Sequence, residues 1–374
     1  MNKRNKQIHF LPSISIGGAP INALRLITEL KKTHNLDLFG VGGPKLEALG
    51  VSSLFNFSEI NIMGLIDPLI NYRRLLQLRE SLIKIFREEK IDFFIGIDSP
   101  DFNIGIHKAL KTNSINKNIQ IVSPSVWGWR QNRIKSIKKY IDLTMCLFDF
   151  EHNFYQDHNH KSIHLGHPFF NLNKIDREIT LHSKNLSSNK KYISIIPGSR
   201  KSEIQNMFPT YVEFMKKFSE KNKDHIFLIP VADNKTMTLV QKLSNDLNAN
   251  AVIEQNSMKE FLSISEFSVV TSGTATLESA ILGCPPIICY KTNFLNYAII
   301  SRMLKVDNIG LPNLLLGKRY FSELLQNECT KENIYNASRD IFLLKEDSKN
   351  IANILKAKLQ GVGFENAAKE IFLI

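Results

Sequence analysis

Short apolar runs alternate with longer amphipathic segments along this chain, and they do so twice, with a polar stretch between the two series. No other feature narrows the fold as much. In the first series residues 8–16, 36–41, 93–97, 119–122 and 143–147 read as strands, with helical periodicity over 21–32 and 65–89. The pattern breaks at 171–191, a segment rich in Asn, Lys and Ser. It resumes with strands at 192–196, 226–231, 251–253, 267–271 and 286–290 and a helix over 275–282, and the tail 348–374 reads as helical and amphipathic. Strands that alternate with helices imply βαβ units and parallel sheets. The expected fold class is therefore α/β, with two Rossmann-like domains over 1–175 and 176–345 and a helical tail over 346–374. Two such halves in succession put the expected ligand cleft between them, at the carboxyl ends of both sheets.

A length of 374 residues suits two domains of this size. With 43% hydrophobic and 22% charged residues the chain has enough apolar side chains for real cores, which argues against disorder. The net charge of +12 favours anionic partners: nucleic acid, phosphorylated substrates or an anionic membrane surface. A surface simply decorated with Lys is the plain alternative. The four cysteines form no C-x-x-C pair and no His cluster has metal-ligand spacing, so buried free thiols are expected, with no metal and no cofactor. Basic residues followed by an apolar stretch at the N-terminus mimic a signal peptide. Pro12, Ser13 and Ser15 interrupt it early, and a strand running into a Gly-rich loop fits better. No uncharged apolar run reaches 18 residues, so no transmembrane helix is expected, and any membrane contact would be peripheral.

Two strand ends in the second half have the composition of anion sites. The strand at 267–271 runs into Ser272-Gly273-Thr274-Ala275-Thr276-Leu277-Glu278. Small residues there let backbone approach a phosphate, and the N-terminus of the following helix offers unpaired N–H groups with a partial positive charge. Ser272 and Thr274 add hydroxyls, and Glu278 is placed to accept from both hydroxyls of a ribose. An ordinary helix cap with Glu in the first turn accounts for the same spacing. The second loop, Pro197-Gly198-Ser199-Arg200, puts a planar guanidinium at a strand end, where it could clamp a diphosphate.

In the first half, Gly96-Ile97-Asp98-Ser99-Pro100-Asp101-Phe102-Asn103 closes an apolar strand. Asp98 stands at the strand end and is the first candidate for a general base, with Asp101 second; helix capping is the plain role for either. Both tryptophans lie in Ser123-Pro124-Ser125-Val126-Trp127-Gly128-Trp129-Arg130-Gln131, beside further basic residues. Such a segment suits stacking on a sugar and holding a phosphate through Trp127, Arg130 and Gln131. It also suits single-stranded nucleic acid, although no nucleic-acid signature supports that, or a solvated basic helix. Met63, Leu65, Ile66, Leu69 and Ile70 precede Arg73 and Arg74, an apolar-then-basic pattern found at interfacial membrane contacts as well as on core helices with a polar face.

Taken together and in order, these segments resemble the lipid-A-disaccharide synthase family. The likeness rests on Gly40-Val41-Gly42-Gly43-Pro44, Ile62-Met63-Gly64-Leu65, the 96–103 and 122–131 segments, Phe150-Glu151 and Gly166-His167-Pro168. It continues through Pro197-Gly198-Ser199-Arg200, the 272–278 loop and Leu311-Pro312-Asn313-Leu314-Leu315. The resemblance implies the GT-B fold, two Rossmann-like domains with a cleft between them, and an inverting hexosyltransferase whose mechanism needs no metal. It implies transfer of 2,3-diacylglucosamine from UDP to 2,3-diacylglucosamine 1-phosphate, giving a β-1,6 disaccharide and UDP. It also implies Asp98 as base, Arg200 and Ser199 at the diphosphate, Ser272, Gly273 and Thr274 near the phosphates, Glu278 at the ribose and Asn313 lining the cleft. The 62–76 segment would meet the cytoplasmic face of the inner membrane of a Gram-negative-type bacterium. Self-association into a homo-oligomer stays open at this point.

One segment departs from the family pattern. Where the family has Ser-Gly-Asp after the first strand, this chain reads Ser15-Ile16-Gly17-Gly18-Ala19-Pro20, without the acid. The alternatives are another GT-B enzyme acting on UDP-GlcNAc, an epimerase or the lipid II glucosaminyltransferase, or a non-catalytic paralogue that binds membrane or a partner. The Trp127–Gln131 segment argues against the first pair.

Overall fold

The computed structural model describes residues 6–11, 19–41, 44–55, 72–113, 116–247, 250–292, 308–344 and 347–374. The expected loop at 15–18, the Gly42-Gly43 pair and the apolar residues Met63, Leu65, Ile66, Leu69 and Ile70 lie outside them. The chain divides into two compact units, residues 1–167 with 360–374, and residues 168–359.

The first unit is built on a seven-stranded sheet, β1 (Lys6–Leu11), β2 (Leu36–Gly40), β3 (Val51–Ser53), β4 (Phe93–Ile97), β5 (Lys117–Ile121), β6 (Leu143–Cys146) and β7 (Ser162–His164). Their order is β3-β2-β1-β4-β5-β6-β7, and every pairing is parallel. A parallel sheet covered by helices on both faces needs strands that are apolar throughout. β4 reads Phe-Phe-Ile-Gly-Ile and β6 Leu-Thr-Met-Cys, each buried at every position. The core on one face joins Phe93, Ile95, Ile97, Ile119, Ile121, Leu143 and Met145 to Leu26, Ile27 and Leu30 of helix Ala19–Thr33 and Ala367, Ala368 and Ile371 of helix Gly363–Ile371.

The second unit carries six strands, β8 (Lys191–Ile196), β9 (His225–Val231), β10 (Ala251–Gln255), β11 (Ser268–Thr271), β12 (Pro286–Tyr290) and β13 (Glu323–Leu325). Their order is β10-β9-β8-β11-β12-β13, again parallel at every pairing. Helix Lys201–Lys221 spans the face of this sheet. Its residues Ile204, Met207, Phe208, Tyr211, Val212, Phe214, Met215 and Phe218 recur at helical spacing and are buried against Ile193, Ile195, Phe227, Ile229 and Val269. The Tyr211 hydroxyl shares a buried hydrogen bond of 2.9 Å with Thr271 Oγ1 on β11.

Two boundaries differ from those expected. The units part at His167/Pro168 rather than near 175, because the polar segment that follows is already docked on the second unit. Asp176 caps helix Arg177–Ser183, accepting from the backbone of Glu178 and Ile179, and Leu181 packs with Tyr192, Leu228, Phe261 and Ile264. The C-terminal segment is not one tail. Helix Ser348–Leu359 belongs to the second unit and residues 360–374 to the first. All four cysteines are buried free thiols, and no helix among the described residues is long and apolar enough to cross a membrane.

Candidate functional site

In the second unit β8 and β11 lie side by side, with Ser194, Ile195 and Ile196 paired to Ser268, Val269 and Val270. The two loops expected to hold an anion therefore leave neighbouring strands at the same edge, where adjacent parallel strands are about 4.8 Å apart. Ser272, Gly273 and Thr274 lead into helix Thr274–Ile281. Gly273 and Thr274 are exposed, and a side chain added at Gly273 would meet nothing within 4 Å. Among the described residues, nothing closes the approach to that helix N-terminus. The Gly273 carbonyl is engaged from below by Thr276 through its N–H and its hydroxyl, at 3.1 and 2.8 Å.

The other loop holds a carboxylate of its own. Glu203, in the first turn of helix Lys201–Lys221, accepts from the backbone N–H groups of Ser199 and Arg200, each at 3.3 Å, and from Arg200 Nη1 at 2.6 Å. Gly198 has φ +108°, and a Cβ there would sit 2.8 Å from Glu203 Oε2, so only glycine leaves room for this arrangement. Arg200 is 79% exposed, and an exposed ion pair of this kind stabilises by less than about 1 kcal/mol. The guanidinium can exchange Glu203 for an incoming anion at small cost.

Glu278 lies one turn inside helix Thr274–Ile281 and is largely withdrawn from solvent. Burial, then the neighbouring Glu260, push its carboxyl up to about 7, against the pull of Lys259. Lys291 stands just beyond β12, at the carboxyl edge next to β11, and donates from Nζ to Thr210 Oγ1 at 2.9 Å. The sequence reading did not single out this cation. The signal was its position, one residue past the apolar run 286–290.

Asn313 does not join this group as a ligand contact. It is fully buried in helix Leu311–Leu316. Its Oδ1 accepts from the N–H groups of Tyr320 and Phe321 at 3.0 and 2.9 Å, and its Nδ2 donates to Phe321 O and Glu323 Oε1, both at 2.8 Å. Every donor and acceptor of the amide is thus in use, which makes Asn313 a brace for the 317–323 turn.

In the first unit, Asp98 follows β4 directly and has φ +52°, with Ser99 at +40° and Val122, after the adjacent β5, at +67°. Non-glycine residues in the left-handed region cost of order 1–3 kcal/mol each, and a β-branched valine is among the least tolerant. Three such residues on two neighbouring strand ends mark the spot where the backbone is held against its preference. Asp98 donates its N–H to Ile121 O at 2.9 Å, and Ser99 O accepts from Phe102 and Asn103 at the start of helix Pro100–Asn113. Asp101, the second candidate base, is 71% exposed and is paired with Arg133 and, at 4.0 Å, Arg130.

The loop after β5 brings Trp127, Arg130 and Gln131 together. Gln131 Nε2 donates to Trp127 O at 3.3 Å, the Arg130 guanidinium lies 4.2 Å from the Trp129 ring centroid, and Trp127 meets Phe150 edge-on at 4.7 Å. Beneath them is Glu151, which carried no assigned role in the sequence reading. It is buried, and its Oε2 accepts from the N–H groups of Leu147 and Phe148 at 3.1 and 3.2 Å. Burial pushes its carboxyl up to about 8 in spite of those two donors and the nearby Trp127 indole. Phe148 stacks on Phe150 and on His167, whose imidazole burial lowers to about 4. Arg73 and Arg74 are exposed at the start of helix Tyr72–Glu88. Among the described residues no group of three or more His, Cys, Asp or Glu side chains is placed to hold a metal ion.

A family model described as lipid-A-disaccharide synthetase matches residues 18–370. A lipid-A-disaccharide synthase of Colwellia psychrerythraea is 37% identical over 316 residues, covering 83% of this chain and 80% of that protein. A lipid-A-disaccharide synthase 2 of Legionella pneumophila is 36% identical over 336 residues, covering 88% and 86%. Among solved structures, a UDP-GlcNAc 2-epimerase of Neisseria meningitidis bound to UDP-GlcNAc has a TM-score of 0.61 at 16% identity, with 98% of each chain covered. At that identity the likeness concerns the fold.

Proposed function

The chain belongs to the lipid-A-disaccharide synthetase family, and on that premise we propose how its residues divide the work of the reaction. It is a glycosyltransferase of the GT-B fold that joins UDP-2,3-diacylglucosamine to 2,3-diacylglucosamine 1-phosphate, with inversion at the donor's anomeric carbon and release of UDP. In our reading the second unit holds the nucleotide. The diphosphate meets the open helix N-terminus at Ser272, Gly273 and Thr274, where N–H groups and the helix dipole favour negative charge. Arg200, beside Ser199, leaves Glu203 and spans the diphosphate oxygens, so that charge on the leaving UDP is offset as the bond to the anomeric carbon breaks. Glu278 accepts from the ribose hydroxyls.

Asp98 is the proposed base. It takes the proton of the acceptor's attacking hydroxyl while that oxygen bonds to the anomeric carbon and the carbon–phosphate oxygen bond opens on the opposite face. Trp127, Arg130 and Gln131 are proposed to receive the acceptor sugar and its 1-phosphate. Residues 62–76 are proposed to meet an anionic membrane surface, where diacylated substrates reside; among the described residues of this stretch, Arg73 and Arg74 are exposed. The observation that carries the reading is the pairing of β8 with β11, which sets both anion-type loops on one sheet edge.

The test is UDP release by purified protein supplied with both acylated substrates. Asp98→Asn should lower turnover by roughly 100- to 10,000-fold, the range of a lost general base, while UDP affinity stays within about twofold. Wild-type turnover in Asp98→Asn would remove Asp98 from the chemistry.

A further inference from the structure

Gly96 and Gln120 are paired across β4 and β5, and Asp98 lies two residues beyond Gly96, directly after the end of β4. The place of the missing Gly96 side chain is filled by polar atoms. A Cβ there would lie 2.8 Å from Gln120 Oε1 and 3.0 Å from both Asn103 Nδ2 and His107 Nε2. Asn103 and His107 are one turn apart on helix Pro100–Asn113, so one helix face and one strand deliver all three groups to the same point. All three side chains are buried.

Two of the three hydrogen-bond to one atom. Asn103 Nδ2 donates to the Asp98 carbonyl oxygen at 2.7 Å, and Gln120 Nε2 donates to the same oxygen at 3.0 Å. Gln120 Nε2 also lies 3.0 Å from Ile121 O and 3.3 Å from Val122 O, so the same amide reaches both left-handed turns. The orientation of that amide is set from behind, because Gln120 Oε1 lies 3.1 Å from His107 Nε2. With three carbonyl oxygens in front of it the Gln120 amino group faces Asp98, so Oε1 accepts from His107 Nε2–H, the tautomer this contact requires of an imidazole that burial keeps neutral at physiological pH. The apolar core on this face, with Phe94, Ile106 and Leu110, calls for no polar group, and Asn103 Oδ1 and His107 Nδ1 are buried without a hydrogen-bond partner among the described residues, a cost that a purely structural cluster would not carry.

We infer that Gln120, oriented by His107 and seated over Gly96, acts with Asn103 as a positioning residue for glycosyl transfer by fixing the Asp98 carbonyl, and with it the left-handed Asp98–Ser99 turn that aims the Asp98 carboxylate. The inference rests on the reading of Asp98 as the base. Gln120 touches no reacting atom; it acts through the backbone of the residue that does. Without the clamp the turn relaxes towards ordinary backbone angles, and a displacement of about 1 Å at a reacting group costs up to about 100-fold in rate.

The experiment is a double-mutant cycle on the full-length protein. Gln120→Met keeps the length of the side chain and removes its amide. It should lower kcat by roughly 10- to 100-fold with UDP affinity unchanged, and should cost nothing further in an Asp98→Asn background. Asn103→Ala, which leaves the Gln120–His107 contact in place, should act in the same direction, and it decides the matter if Gln120→Met does not fold. Full turnover in the folded variants would overturn the inference. So would an equal fold-loss in the Asp98→Asn background, which would mark a structural effect independent of the base. Retained turnover in Asp98→Asn alone would instead remove the premise, a result distinct from either.

Discussion

Glu278 is a carboxyl whose charge state should be visible in ligand binding. With its titration moved up to about 7 by burial and by Glu260, it is roughly nine-tenths ionised at pH 8 and one-tenth at pH 6. Only the carboxylate accepts from two ribose hydroxyls. UDP affinity should therefore fall by up to about tenfold from pH 8 to pH 6 through this group alone. UDP titrates as well, so the measurement is calorimetric binding by wild type and Glu278→Gln, and the prediction concerns the difference between their profiles. Parallel profiles would exclude the ribose role. The sign for stability runs the other way. Between about pH 4.5 and 7 the folded chain keeps a proton that the unfolded chain has released, so this group makes the unligated protein less stable as pH rises. At this scale the sequence showed which residue types stand at strand ends: Asp98, Arg200 and Glu278 occupy such ends or the helix turn after one. Their partners were hidden. Gln120 acts on Asp98 across 22 positions, and the raised Glu151 carboxyl follows from burial that no local pattern encodes. Asn313 looked like a ligand contact because nothing local shows that Phe321 and Glu323 use up its amide.

Interior strands were readable as elements because a strand buried on both faces is a continuous apolar run, as β4 and β6 are. The strands that went unread are β3, β7 and β13, each three residues long and each at the edge of its sheet. Three residues are too few to set a period, and an edge strand such as Val51-Ser52-Ser53, with both serines exposed, needs no apolar run. The C-terminal tail shows a second limit. Its helical periodicity was visible, but the break at Gly361 was not. There Val362 N donates to His164 O at 2.8 Å and Gly363 N to Leu165 O at 3.2 Å, tying the last helix to the end of β7. A Cβ at Gly361 would lie 2.3 Å from Gly166 N and from His164 O, which are backbone atoms with little room to yield. Gly361→Ala should cost about 2 kcal/mol or more and lower the unfolding midpoint by roughly 4–8 °C. Gly317→Ala, at φ +66° with open space around it, should cost only about 1 kcal/mol. Thermal denaturation of both variants checks the contrast, and an unchanged midpoint for Gly361→Ala would mean the crossing relaxes freely.

Over the whole molecule, a net charge of +12 announces anionic partners without saying which. The described residues show where part of it lies. Arg73 and Arg74 are exposed at the start of helix Tyr72–Glu88, and Lys135, Lys138 and Lys139 are exposed on helix Ile134–Tyr140. Helix Pro100–Asn113 packs against both, so these charges belong to neighbouring helices of one unit. Both substrates of the family's reaction carry two acyl chains and phosphate, and an enzyme acting on them gains from resting on the surface that holds them. Each Lys or Arg near an anionic bilayer contributes about 1 kcal/mol, roughly fivefold in partition. Co-sedimentation with vesicles containing anionic phospholipid should therefore be strong at low salt and weak in vesicles of neutral lipid. It should also fall as salt shortens the Debye length from about 10 Å at 0.1 M to 3 Å at 1 M. If residues 62–76 form the contact, replacing Arg73 and Arg74 together by glutamate should reduce partition by at least about 25-fold, while UDP affinity, which we propose the other unit carries, should stay unchanged. Undiminished partition of that variant, with salt dependence intact, would move the membrane-facing surface away from residues 62–76 and towards the basic helix Ile134–Tyr140.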